Sequence, residues 1–250
     1  MARELAISPL VASLLLRRNC HTAEEVRTFL DAPLTALPDP LTMLGMDAAV
    51  GRLRTAVARR EPILVCGDYD VDGVSGAALL VAGLRRAGCE VTYSVPRRLE
   101  QGYGLHPSIV EQGAAEGVRV LVTVDLGVSA HDAVALARAR GIDVIICDHH
   151  LPSLSAGLPQ ATAVLNPRQP GCGYPFKELC GVGIAFKLLQ ALFGSAAWEE
   201  LWPFLDLVAV GTIADLVPLL GENRILVKRG LIQLAGTTRP GLRALADAAG

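Results

Sequence analysis

The chain has 250 residues, 51% of them hydrophobic and 19% charged, with a mean hydropathy of +0.40. That is enough apolar material for one large domain, or one domain and part of another, and it excludes wholesale disorder. A formal net charge of -2 supplies no global field for nucleic acid, so any such partner must be held locally.

Residues 1–50 read as small helices. Ser8 is placed to cap the run 10–16, and Thr22 with Glu25 three residues on has the pattern of a capping box. The apolar run 10–16 is too short to span a bilayer, and the N-terminus opens no signal peptide, so no membrane partner is expected. Pro33, Pro38 and Pro40 punctuate a loop, and a helical period resumes over 46–59. This region is expected to be a small helical cap on the main domain.

From Pro62 the pattern alternates. Apolar, β-rich runs fall at 63–66, 91–95, 118–124, 144–147 and 161–165, with helical stretches at 74–87, 108–116 and 130–140. Near-continuous apolar strands alternating with helices predict an α/β fold, a mostly parallel sheet flanked by helices on both faces. In such sheets ligands bind at the carboxyl ends of the strands.

The polar clusters follow the strands. The first strand runs into Asp68, Asp70 and Asp72, bracketed by Gly67 and Gly73. The opening matches a calcium-binding EF-hand loop, but that loop requires a Glu at its twelfth position, here Leu79, and a helix before it. The EF-hand is rejected. Three acids so close repel one another unless a cation offsets them, and their oxygens suit Mg²⁺ or Mn²⁺. The third strand ends in Asp125-Leu126-Gly127 and the fourth in Asp148-His149-His150. Taken singly, Asp125 reads as a helix N-cap and the two histidines as a loop pair; their joint placement at one sheet edge favours metal ligands. Asp215, in an apolar stretch before Pro218, reads equally as a ligand and as a buried turn or cap residue.

Gly102-Tyr103-Gly104 and Gly181-Val182-Gly183 each lack the third glycine of a dinucleotide fingerprint, and no P-loop exists. Arg97 and Arg98 after the second strand read either as a phosphate-contacting loop or as a solvated pair. Cys20, Cys66, Cys89, Cys147, Cys172 and Cys180 form no C-x-x-C pair. That argues against a zinc ribbon and a secreted disulfide scaffold, and makes the cytoplasm the expected compartment.

DYDVDG at 68–73, DLG at 125–127, DHH at 148–150 and GTIAD at 211–215 together resemble the DHH phosphoesterases, and among them the RecJ-type exonucleases of single-stranded DNA. PRRLEQGYGL at 96–105, Asn166-Pro167 and residues 179–183 extend the resemblance along essentially the entire chain. It implies a two-ion Mn²⁺ or Mg²⁺ site. Asp70 and Asp72 would serve the ions separately, Asp125 would bridge them, and His149 and Asp215 would complete one of them. His150 would contact the scissile phosphate and Asp68 would bind or orient nearby; these two are the catalytic pair. Cys66 and Asp148 stand as further donors or supports, and Arg98 and Tyr103 as phosphate or DNA contacts. The resemblance divides the chain into a helical region at 1–50, a phosphoesterase domain at 51–220, and the start of a helical connector at 221–250 leading to an absent second domain. Cys66 stands where many relatives have His, and Leu126 where many have Asn.

The implied function is 5′-to-3′ hydrolysis of single-stranded DNA in repair and recombination, with a single-strand-binding protein or a helicase as candidate partners. Two alternatives are a phosphodiesterase of short oligonucleotides or cyclic dinucleotides, and a non-enzymatic replication scaffold.

Overall fold

The computed structural model describes residues 2–96, 102–153, 155–194 and 197–250. Its centre is a five-stranded sheet in the order β2-β1-β3-β4-β5, built from β1 (Ile63–Gly67), β2 (Val91–Ser94), β3 (Val120–Val124), β4 (Asp143–Cys147) and β5 (Ala163–Leu165). Every neighbouring pair is parallel. Side chains alternate between faces, as the strand period requires. Ile63, Val65, Val120, Val122, Val124, Ile145 and Cys147 enter the larger core, and Leu64, Cys66, Leu121, Val144 and Ile146 a smaller one on the opposite face.

Helices cover both faces. In chain order they are α1 (Pro9–Leu16), α2 (Ala23–Asp31), α3 (Met46–Arg59), α4 (Val71–Arg86), α5 (Pro107–Ala115) and α6 (His131–Ala139). Then follow α7 (Gly181–Phe193), α8 (Trp198–Leu201), α9 (Leu205–Ala214), α10 (Gly221–Ala235) and α11 (Pro240–Ala249). α3, α4, α7 and α9 supply the larger core, and α5 and α6 the smaller. Residues 181–191 of α7 are all buried, so this helix is a core element rather than an amphipathic cover.

The strands and helices expected from the sequence are present with shifted ends. β3 starts at Val120, not 118, because the Val118 N–H closes the end of α5 on the Gly113 carbonyl (2.9 Å). β5 starts at Ala163, not 161, because the Ala161 N–H turns back to the Pro159 carbonyl (2.8 Å). α4 starts at Val71, not 74, because the Asp70 carboxylate accepts from the Gly73 N–H (2.9 Å) and caps the helix.

Ser8 caps α1, and Thr22 and Glu25 form the full capping box of α2. This N-terminal cap keeps its own small core of Leu15, Cys20 and Val26. It is bound to α10: Arg224 Nε donates to the Phe29 carbonyl (2.7 Å) and Arg229 Nε to the Ala32 carbonyl (2.9 Å). No described helix is long and apolar enough to cross a membrane.

Candidate metal centre

In a sheet of this order the chain winds outward in both directions from the gap between β1 and β3, and a crevice opens at their carboxyl ends. Asp68 follows β1 and Asp125 follows β3, so these two acids face that crevice. The Asp68 N–H donates to the Val124 carbonyl (3.2 Å), and the Asp125 N–H donates to the Cys147 carbonyl (2.8 Å), extending the ladder by one step on each strand. Asp125 then takes a left-handed backbone (φ 63), which turns the chain sharply with its carboxylate buried. A non-glycine residue held there is strained, and such strain collects at functional sites. Asp125 caps no helix, since α6 begins at His131 behind Ala130.

The three acids after β1 do not share a simple turn. Asp68 sits at the strand end, Asp70 caps α4, and Asp72 lies inside the first helical turn. Asp72 is 1% exposed, and its carboxylate accepts from the N–H groups of Gly181 (2.6 Å) and Val182 (2.8 Å). The positive end of α7 is therefore aimed at Asp72. Gly181 permits this approach: a Cβ there would lie 2.7 Å from Asp125 Cβ and 2.9 Å from Asp72 Oδ2. Gly73 likewise lets α4 start directly against the end of β1, since a Cβ there would lie 2.5 Å from the Asp68 nitrogen.

β4 delivers Asp148, His149 and His150, and each does something different. Asp148 is fully buried; Oδ2 accepts from the Val128 N–H (3.0 Å), and Oδ1 from the His150 N–H (3.1 Å) and from His150 Nδ1 (2.7 Å). Both oxygens are engaged, and Asp148 is placed to support His150. His149 turns inward, with Nε2 at 3.0 Å from Asp125 Oδ1, 3.8 Å from Asp215 Oδ2 and 4.0 Å from Asp72 Oδ2. Asp215 is the C-cap of α9, so the cap placement and the site placement hold together.

These side chains converge without satisfying one another. His149 Nε2 and Nδ1, Asp125 Oδ1, Asp215 Oδ2 and Asp68 Oδ1 are buried with no hydrogen-bond partner among the described residues. Buried polar atoms left this way are costly unless a further group binds them. Donor atoms fall into three sets, each with its atoms within 4.8 Å of one another: Asp125, His149 and His150; Asp68, Asp70 and Asp125, which shares Asp125 with the first; and Asp72, Cys180 and Asp215. Carboxylate oxygens with imidazole nitrogen suit hard or borderline divalent cations, so the donors present fit such ions.

The electrostatics agree. Burial pushes the Asp125 carboxyl up to about 10, with the Asp72 and Asp70 charges adding to it. Burial also raises Asp215 to about 6, and it raises Asp68 and Asp72. Asp148 moves the other way: burial raises it, but the His150 side chain and the Val128 N–H outweigh that and hold it below the usual carboxylate range. The Asp148 hydrogen bond lifts His150 to about 9, so this imidazole is cationic at neutral pH.

Of the other residues singled out in the sequence, Tyr103 reaches the site, donating its hydroxyl to the Asp125 carbonyl (3.3 Å) and lying 3.3 Å from His150 Nδ1. Cys66 does not join the donors: it is fully buried in the smaller core, and burial pushes its thiol up to about 12. Leu126 fills the same core, while its carbonyl accepts from Thr123 Oγ1 (2.7 Å). Arg98 and its neighbour Arg97 lie outside the described residues. Sequence reasoning missed Cys180, whose Sγ joins Asp72 and Asp215, and the N–H groups of Gly181 and Val182. The paired glycines ahead of a mostly apolar run were the available signal of a close backbone approach.

A family model described as the DHH family, N-terminal domain, matches residues 62–212, spanning every element that delivers a donor except the Asp215 cap. The chain belongs to the DHH family. Among its relatives is the single-stranded-DNA-specific exonuclease RecJ of Bacillus subtilis, 42% identical over 250 residues, which cover 100% of this chain and 31% of the relative. The RecJ of Escherichia coli is 41% identical over 257 residues, covering 97% of this chain and 43% of that protein. A crystal structure of RecJ from Thermus thermophilus in complex with Mn²⁺ superposes with a TM-score of 0.83 at 34% identity, covering 100% of this chain and 35% of that one. This DHH chain thus spans less than half the length of these relatives.

Proposed function

We propose that the chain is the catalytic part of a metal-dependent phosphodiesterase that removes nucleotides from single-stranded DNA in the 5′-to-3′ direction. One observation carries this reading: His149 Nε2 and Asp125 Oδ1 lie 3.0 Å apart, buried, yet share no hydrogen bond. Two acceptor-bearing atoms pointed at one space are arranged for a cation between them. The likeness to RecJ proteins, including one crystallised with Mn²⁺, supports Mn²⁺ or Mg²⁺ as the ions and single-stranded DNA as the substrate. A cytoplasmic location and single-strand-binding or helicase partners belong to the same proposal.

In this reading Asp70, Asp72, Asp125, His149 and Asp215 would hold two ions, with Asp68 orienting from the strand end. Each Asp72 oxygen that accepts an α7 N–H keeps a second lone pair for this purpose. When bound, the ions would lower the pKa of a water between them and offset charge on the phosphate. The protein's own part is positional. Asp148 takes the Nδ1 proton of His150 in a hydrogen bond, so the other ring nitrogen presents a charged N–H donor to a phosphate oxygen. The left-handed turn at Asp125 and the α7 N-terminus fix the acids before substrate arrives.

The test is Mn²⁺-dependent release of nucleotides from 5′-labelled single-stranded DNA. Asp125→Ala is expected to bring release to background. Unchanged release by that variant contradicts the reading. Cleavage of dinucleotides with no cleavage of long strands would instead favour a phosphodiesterase of short oligonucleotides.

A further inference from the structure

Cys180 stands apart from the other cysteines. All six are free, and among the described residues only the Cys180 sulfur joins a set of donor atoms, lying with oxygens of Asp72 and Asp215 within 4.8 Å of one another. It is fully buried and lies 3.3 Å from Thr212 Oγ1, which on its own is the setting of an ordinary core cysteine. Its surroundings are not those of a core. Cys180 holds the N-cap position of α7, and a helix N-terminus favours the anionic form of a cysteine. Asp215 Oδ2 is buried with no hydrogen-bond partner among the described residues. His149, only 8% exposed, brings Nε2 to 3.8 Å from that oxygen and 4.0 Å from Asp72 Oδ2, and this nitrogen likewise has no hydrogen-bond partner among them. A sulfur and an imidazole nitrogen thus both face the Asp72 and Asp215 carboxylates.

We propose that Cys180 is a sulfur donor of the metal centre, making its Asp72–Asp215 position a binding site for thiophilic divalent ions such as Zn²⁺ and Cd²⁺. The inference deepens the metal-dependent reading of the site, on which it rests, by adding which ions other than Mn²⁺ or Mg²⁺ the centre accepts. Thiolate, imidazole and carboxylate are the ligand types of zinc, which takes four donors tetrahedrally. Mg²⁺ and Mn²⁺ favour oxygen, whereas soft thiolate selects thiophilic metals. In the absence of an ion, burial and the Asp72 charge keep the thiol protonated. A coordinated thiol gives up its proton outright, here to solvent, and a thiophilic ion offsets that cost where a hard ion does not. An ion held through the sulfur takes a position that Mn²⁺ would occupy, so thiophilic metals oppose hydrolysis.

The test compares the unaltered chain with Cys180→Ser by Cd²⁺ absorption spectroscopy and by competitive calorimetry of Zn²⁺ against Mn²⁺. Zn²⁺ outcompetes Mn²⁺ at most donor sets, so the change in their affinity ratio decides, not the ratio itself. Cd²⁺ is expected to give the ultraviolet sulfur-to-metal band of a thiolate complex in the unaltered chain and in Cys172→Ser, and to lose it in Cys180→Ser. Zn²⁺ affinity is expected to fall about tenfold or more in Cys180→Ser, at least the cost of losing an outer-shell partner. Mn²⁺ affinity should fall by a smaller factor, because serine places an oxygen where the sulfur was. Without any substitution, free Mn²⁺ read by electron paramagnetic resonance should rise as Cd²⁺ develops the band on the Mn²⁺-loaded chain. A band that survives in Cys180→Ser, an unchanged Zn²⁺-to-Mn²⁺ ratio, or a band that forms without releasing Mn²⁺ overturns the proposal. Mn²⁺ binding by the unaltered chain with no Cd²⁺ band overturns it while leaving the metal-dependent reading in place. Failure to bind any of these ions would remove that reading as well.

Discussion

Asp148 and His150 are adjacent in the motif but divide the labour, and the division is testable. With Asp148→Asn, His150 loses its charged acceptor, so its pKa should fall toward that of an ordinary imidazole. Hydrolysis should drop about 10–100-fold, the usual cost of losing an orienting partner, and the alkaline limb of its pH profile should move to lower pH. An unmoved profile would mean that His150 acts without Asp148. A second expectation follows from the raised pKa values. In EDTA, Asp125 and Asp215 hold protons in the folded chain that they release when unfolded, and His150 is likewise raised. Each contributes stability that is present at low pH and lost as pH climbs through its folded value, about 6 for Asp215 and about 9 for His150. The thermal midpoint should therefore fall between pH 5 and pH 9 without divalent ions. Mn²⁺, which binds the deprotonated carboxylates, should stabilise more as pH rises; a midpoint indifferent to both would contradict the assignment. At this scale the acids and histidines other than Asp215 were legible, because they come after apolar strands, whereas Asp215 ends the helix α9. For Asp148 the sequence left donor and support both open, since nothing in its letters shows which oxygens find N–H groups.

Among the elements, α7 connects core packing to the site. Gly181→Ala would press a methyl group against Asp125 and Asp72, and overpacking of this kind costs about 1–3 kcal/mol. The expected result is a lowered thermal midpoint together with weaker Mn²⁺ binding, because the two N–H donors to Asp72 must shift. Unaltered Mn²⁺ affinity would show that Asp72 does not depend on them. The β-strands were readable from runs of Val, Ile and Leu, and α3 from its clear helical period over 46–59. α7 and α9 were not singled out as helices. Both are apolar on nearly every side, so the polar–apolar alternation that marks a surface helix is missing. Gly181-Val182-Gly183 was weighed as a nucleotide fingerprint, whereas the partner that approaches it is a carboxylate of the same chain.

Across the whole molecule, a buried ion pair ties three distant segments together. Lys187 on α7 is fully buried, donates to the Pro38 carbonyl (2.7 Å), and lies 3.0 Å from Glu222 of α10, which also accepts from the Tyr174 hydroxyl (2.8 Å). Removing one member strands the other charge, so Lys187→Met should cost about 3–5 kcal/mol of stability, measured by denaturant unfolding. A loss below 1 kcal/mol would mean that Glu222 simply takes up a proton. The α/β class and parallel sheet were evident in the sequence. The docking of the N-terminal cap on α10 was not, because it runs through arginine side chains and backbone carbonyls that carry no pattern. The central claim is that the convergent acids and His149 bind divalent ions, and calorimetric titration of Mn²⁺ into the chain tests it most directly. Saturable binding of two ions, reduced or lost in Asp125→Ala, is the predicted result. No binding, or binding that the substitution leaves unchanged, would contradict it.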